Sequence, residues 1–109
     1  MSKLDNKKIP EKILNHLQSL INKSNWPQGI VMVNDLLKEY PRSHELHTCK
    51  GICLSYLNKF DQAKESFDTA KEFGCKEVDH KANIAEFYST IGNYHFNKNE
   101  YQESLEAFL

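Results

Sequence analysis

Residues 60–70, Phe-Asp-Gln-Ala-Lys-Glu-Ser-Phe-Asp-Thr-Ala, repeat the outline of residues 26–36, Trp-Pro-Gln-Gly-Ile-Val-Met-Val-Asn-Asp-Leu. Trp26, Gly29, Val33 and Leu36 return as Phe60, Ala63, Phe67 and Ala70, each 34 residues on. A third copy follows at an offset of 41, where Gly51, Phe60, Ala63 and Phe67 are answered by Gly92, Tyr101, Ser104 and Phe108. A fixed period of this length marks helix pairs that bury their apolar faces only by stacking on neighbours. Small and aromatic residues three and four apart put the pattern on one helix face.

Helix signals bracket each copy. Ile13, Leu14, Leu17, Leu20 and Ile21 follow Pro10, a residue suited to a first helical turn. After the polar Lys23-Ser24-Asn25 comes a second run, Ile30, Val33, Leu36, Leu37 and Tyr40, which Pro41 ends because its ring disfavours helical geometry at Tyr40. Ser43 is placed to cap a helix carrying Leu46, Cys53, Leu54 and Leu57. Asp61 opens the next helix and Gly74 closes it. Asp79 would cap a helix through Ile84, Phe87, Tyr88, Ile91 and Tyr94, Asn97-Lys98-Asn99 would break it, and Tyr101 to Leu109 would begin another. The expectation is an all-α fold of six helices in three antiparallel pairs. A polar lead-in occupies 1–9, and the copies span 10–42, 43–75 and 79–109, the last one truncated.

With 109 residues the chain has room for one small domain. A net charge of −1 leaves out the basic stripe that nonspecific nucleic-acid binding needs. The longest apolar run, Gly29 to Val33, cannot span a bilayer, and Met1 to Pro10 has no apolar signal core. A cytoplasmic protein that binds neither nucleic acid nor membrane is expected. Cys49, Cys53 and Cys75 are an odd number without a secretory signal, which favours free thiols. His44 and His47 stand just before Cys49 and Cys53, and so raise the question of a metal site. Helical spacing keeps the His pair and the Cys pair off a common face, and the paired zinc spacings are missing. No metal and no cofactor is therefore expected, with Cys53 read as buried packing and Cys49 as a semi-exposed thiol.

The pattern resembles the tetratricopeptide repeat, whose 34-residue unit reads W-x2-L-G-x2-Y, then A-x3-F, A and P. Copy two, counted from His44, places Gly51, Leu54, Ala63, Phe67 and Ala70 on the pattern. Copy three, from Ala85, places Tyr88, Ile91, Gly92, His95, Tyr101, Ser104 and Phe108. Copy one, from Pro10, supplies Ile13, Leu17, Leu20, Trp26, Gly29, Val33, Leu36 and Pro41, with Leu17 where the glycine would be. The resemblance covers about residues 10 to 109 and implies an α-solenoid, a right-handed superhelix of helix pairs. In it Gly51 with Ala63, and Gly92 with Ser104, would let the two helices of a copy approach closely, while Phe67 and Phe108 fill the space beside them.

The resemblance also implies a concave groove lined by the first helix of each copy. Glu11, Leu14, Gln18 and Asn22 would come from copy one, Glu45, Thr48, Ile52 and Tyr56 from copy two, and Glu86, Ser89, Asn93 and Asn97 from copy three. Asn and Gln suit an extended peptide because each offers a donor and an acceptor to its backbone. Family members that hold the acidic tails of heat-shock chaperones use a clamp of Lys and Asn, then Asn, then Lys and Arg. The matching positions here are Leu14, Gln18, Cys49, Glu86 and Thr90, and none keeps the clamp residue. Glu11, Glu45 and Glu86 recur at one position of all three copies and would favour a basic partner, although a first-turn Glu also suits the helix dipole.

No paired carboxylates, nucleophile elbow, phosphate loop or metal triad appears. The expected function is therefore a non-catalytic protein-interaction module, the start of a longer chain, that holds a peptide or partner helix in its groove. Two alternatives stand beside it. Ile9 to Asp61 resembles repeat arrays placed ahead of catalytic domains in some bacterial sulfotransferases, glycosyltransferases and iron oxygenases. A self-assembling unit is the other, because Tyr101, Leu105, Phe108 and Leu109 would leave an uncapped apolar end for another copy or domain to cover.

Overall fold

In the computed structural model the protein is described over residues 8–108, with side chains described for 8–98. Over this range it is all-helical, without strands. The helices are α1 (Glu11–Asn22), α2 (Trp26–Glu39), α3 (His44–Tyr56), α4 (Phe60–Glu72) and α5 (Glu77–Phe108). Consecutive helices pack on one another, and α5 also packs on α3.

The local signals explain most helix ends. Pro10 precedes α1 in an extended conformation, and Pro27 occupies the first turn of α2. Tyr40 ends α2 ahead of Pro41. Ser43 Oγ accepts the Leu46 N–H at 3.3 Å and so satisfies one of the open donors of α3. The turns after α1, α3 and α4 are one device repeated: a residue at positive φ, followed by an N–H returned to the last helical turn. Ser24 (φ 58), Asn58 (φ 64) and Gly74 (φ 115) provide the left-handed residue. Asn25 N–H then reaches Leu20 O, Lys59 N–H reaches Leu54 O, and Cys75 N–H reaches Ala70 O, at 2.9, 2.9 and 3.0 Å. This is the Schellman pattern, which closes the last carbonyls of a helix.

Two apolar clusters hold the helices together. Ile9, Leu17, Val33, Tyr40, Leu46 and Cys49 join α1, α2 and α3. Leu54, Ala63, Phe67 and Phe87 join α3, α4 and α5. Glycine matters at the α3–α4 contact, where a Cβ on Gly51 would lie 2.7 Å from the Phe67 ring. Gly29 plays a milder version of that part between α2 and α3, with Cys53 Sγ 3.0 Å from where its Cβ would stand.

The helix count corrects the expected six to five among the described residues. Asn97-Lys98-Asn99 does not break the chain, and residues 101–108 continue α5 as one 32-residue helix. Asn disfavours a helix interior by well under 1 kcal/mol relative to Ala, and no Pro or Gly lies between Gly92 and Phe108. Nothing in the backbone chemistry therefore compels a turn. Asp79 is not the cap of α5 either, since the helix starts two residues earlier, at Glu77. A 32-residue helix is ~48 Å long, and the molecule measures 63 × 26 × 18 Å.

Candidate functional site

A line of open clefts runs where α3 lies beside α5. At one end, a cleft of about 290 Å³ is lined by Gln18, Glu45, Thr48, Cys49, Asp79 and Asn83, among others. A narrow pit follows, floored by Ile52, Phe67 and Phe87 and edged by Tyr56, Asn83, Glu86 and Thr90. The far end, about 520 Å³, is walled by Tyr56, Asn58, Thr90, Asn93, Tyr94, Asn97 and Lys98. Ile52 and Tyr56 each border two of these clefts, so the three form one continuous track.

Helix periodicity builds both walls. Glu45, Thr48, Ile52 and Tyr56 lie three and four residues apart on α3, as do Asp79, Asn83, Glu86, Thr90, Asn93 and Asn97 on α5. Eight of the twelve groove residues expected from the sequence line the track: Gln18, Glu45, Thr48, Ile52, Tyr56, Glu86, Asn93 and Asn97. Glu11, Asn22 and Ser89 are exposed elsewhere. Leu14 instead packs against the α1–α3 cluster. Asp79 and Asn83 of the α5 stripe, with Asn58, Tyr94 and Lys98 at the far end, line the track outside the expected twelve, and Thr90, expected only as a clamp-matching position, lines it too. Asn83 and Thr90 lie within the expected helix, but the repeat count from Ala85 assigns the groove to Glu86, Ser89, Asn93 and Asn97 and passes over them.

Two contacts fix the track's central residue. The Tyr56 ring stacks on Trp26 with centroids 4.3 Å apart and planes 5° from parallel. Its hydroxyl donates to Glu86 Oε1 at 3.2 Å, bridging α3 to α5. Glu45 is held in turn by His44 Nε2 at 2.7 Å and by the Ser43 hydroxyl at 3.1 Å. The lining carries three carboxylates, Glu45, Asp79 and Glu86, and its ammonium group is Lys98 at the far end. The track thus carries amides and carboxylates along one open face.

Cys49 and Cys53 are both buried, and Cys75 is partly so. The expectation of a semi-exposed Cys49 is corrected: its side chain faces the cluster of Leu17 and Leu46. Burial above all, then the neighbouring Cys53 and the Glu45 carboxylate, pushes the Cys49 thiol up to about 12. Burial likewise pushes Cys53 up to about 11. Both stay protonated at neutral pH and are poor nucleophiles and poor metal ligands. Among the described residues no three His, Cys, Asp or Glu side chains gather where an ion would sit, and no helix is long and apolar enough to cross a membrane.

The expected small-residue contacts divide between copies. Gly51, Ala63, Phe67 and Ala70 are buried together in the middle of the molecule. Gly92 lies on α5 with nothing within 4 Å of where its Cβ would stand. The side chains of Ser104 and Phe108 lie outside the described residues. No protein-family model, curated protein or solved structure matches this chain.

Proposed function

We propose that the chain is a non-catalytic protein-interaction module, a tetratricopeptide-like solenoid whose α3–α5 track holds an extended segment of a partner protein. The observation that carries this reading is the continuity of the track from Gln18 to Lys98, with polar side chains at helical spacing on both walls. Asn83, Asn93 and Asn97 pair a donor with an acceptor, the combination a peptide backbone needs at each residue. Ile52, Phe67 and Phe87 give the narrow middle of the track an apolar floor.

The partner segment is basic. Glu45, Asp79 and Glu86 face the track, so Lys or Arg side chains gain and carboxylates are repelled. A cytoplasmic location fits three free thiols. The test is a peptide-array screen followed by fluorescence anisotropy on the hits. Basic peptides should be enriched over acidic ones, Asn93→Ala with Asn97→Ala should weaken every hit, and Glu45→Gln with Glu86→Gln should weaken basic hits selectively. A screen without basic enrichment, or hits indifferent to both double variants, would sink the reading.

A further inference from the structure

The charges of the α3–α5 track are sorted by end. Glu45 and Asp79 line the cleft at one end, where His44 also pairs with Glu45, and Glu86 edges the narrow middle. The far cleft, about 520 Å³, sets Lys98 beside the amides of Asn58, Asn93 and Asn97, the Thr90 hydroxyl and the rings of Tyr56 and Tyr94. None of the described residues that line it is acidic. Lys98 stands 19 residues after Asp79 on α5, so about 28 Å separates the two ends. That is several times the screening length of ~8 Å at physiological ionic strength, and each end therefore selects its own charge.

We infer that the track reads its partner segment from a basic end to an anionic end. Lys or Arg side chains lie against Glu45 and Asp79, and a carboxylate sits in the cleft of Asn58, Asn93, Asn97 and Lys98. This deepens the peptide-binding reading and rests on it. The Lys98 ammonium supplies the charge and the three amides supply N–H donors, a combination suited to the two accepting oxygens of a carboxylate. A neutral peptide carbonyl would use the amides and draw less from the ammonium. None of these four residues is at a position matching the chaperone-tail clamp.

The spacing sets the length of the segment. An extended chain rises ~3.3 Å per residue, so ~28 Å takes about eight or nine residues. Glu86 stands seven residues after Asp79, ~10 Å along α5, which places a second basic side chain about three residues after the first. Beyond Glu86 the lining side chains are uncharged as far as Lys98. Two sources supply a carboxylate at that end, the C-terminus of the segment or an Asp or Glu side chain, and both present the same pair of oxygens.

The probe is a set of peptides about nine residues long, labelled at the N-terminus, with Lys or Arg in the first three positions. Each is made as a free acid ending in a neutral residue, as the matching amide, and as an amide ending in Glu. By fluorescence anisotropy the free acids, the Glu-ended amides or both should bind about tenfold or more tighter than the neutral amides, and the form that does so identifies the source of the carboxylate. Lys98→Gln should bring that form down to the affinity of the neutral amides, whereas Asp79→Asn should weaken all three forms alike. Binding with no preference for a carboxylate overturns the inference and leaves peptide binding standing, as does a preference that survives Lys98→Gln. Failure of every form to bind overturns both.

Discussion

α3 and α5 carry one pattern in two settings. α3 is enclosed on both flanks and buries six of its thirteen residues, whereas α5 buries Phe87 alone among its described side chains. Gly51 and Gly92 occupy the same place in that pattern, yet a Cβ would strike Phe67 at one and meet nothing at the other. A residue's contribution therefore depends on whether its partner helix is there to meet it, and pattern alone does not decide that. The contrast can be pressed at single positions.

The largest effect belongs to the enclosed side. Phe67 is buried among Leu54, Ala63 and Phe87, with the Phe87 ring 5.9 Å away edge-on. Phe67→Ala should cost ~3–5 kcal/mol by denaturant unfolding, since the lost ring leaves a cavity between three helices. Tyr88→Ala, on the exposed face of α5, should stay within ~0.5 kcal/mol. Equal losses at the two sites would erase the distinction between enclosed and bare flanks.

The two glycines should move in opposite directions. Gly51→Ala puts a methyl group 2.7–2.8 Å from three Phe67 ring atoms, and forcing the ring aside should cost ~1–3 kcal/mol. Ala63→Leu, on the opposite side of the same contact, should cost a similar ~1–3 kcal/mol. Gly92→Ala should instead gain ~0.5–1 kcal/mol, because nothing lies within 4 Å of its Cβ and alanine loses less backbone entropy in an open helix. Thermal midpoints give the signs directly, and a destabilised Gly92→Ala variant would mean that another part of the protein covers that face of α5.

Sequence resolved the parts of this fold that chemistry settles locally. Ser43, Pro41 and Gly74 act within a few residues, as cap, stop and left-handed turn, and each sits where its side chain or ring dictates. The groove residues of α3 were legible for a related reason, since one helix start fixes every later position at 3.6-residue spacing. Asn99 was misread because its turn is conditional. Asn58 turns the chain where α4 packs on Gly51, and Asn99, of the same identity, stays within α5. Asp79 and Asn83 were passed over because the repeat count starts copy three at Ala85, whereas the lining stripe of α5 starts near its first turn. Cys49 was misplaced because a semi-exposed and a buried thiol look alike until α1 is packed against it.

The buried thiol gives a pH signature that the bare flank lacks. Cys49 is raised from 9.0 to about 12 in the folded chain, chiefly by burial. The folded state thus holds its proton more tightly than the unfolded state does. That contribution is fully present below pH ~9, and it is lost as pH rises from there through the folded value. Between those limits the wild type should lose stability more steeply than Cys49→Ala, in urea midpoints collected at each pH. Parallel pH profiles would place Cys49 in water. At neutral pH a thiol reagent should accordingly label Cys75 first, with Cys49 and Cys53 reacting only as the fold opens.

The smallest effect tests the turns, where copies one and two share a left-handed residue 34 positions apart and differ in what fills it. Ser24 at φ 58 and Asn58 at φ 64 both accept a conformation that glycine adopts without strain. A non-glycine residue there costs ~1–2 kcal/mol, and glycine gives back ~0.4–1 kcal/mol through the greater freedom of the unfolded chain. Ser24→Gly should therefore stabilise by a net ~0.5–1 kcal/mol. Asn58→Gly should gain less, because asparagine tolerates the left-handed region better than serine does. Both variants keep the returning bonds from Asn25 to Leu20 and from Lys59 to Leu54, so only backbone strain changes between them. Thermal midpoints that rise more for Ser24→Gly than for Asn58→Gly would support this account. A fall in either would mean that the side chain at the turn contributes more than its strained backbone takes away.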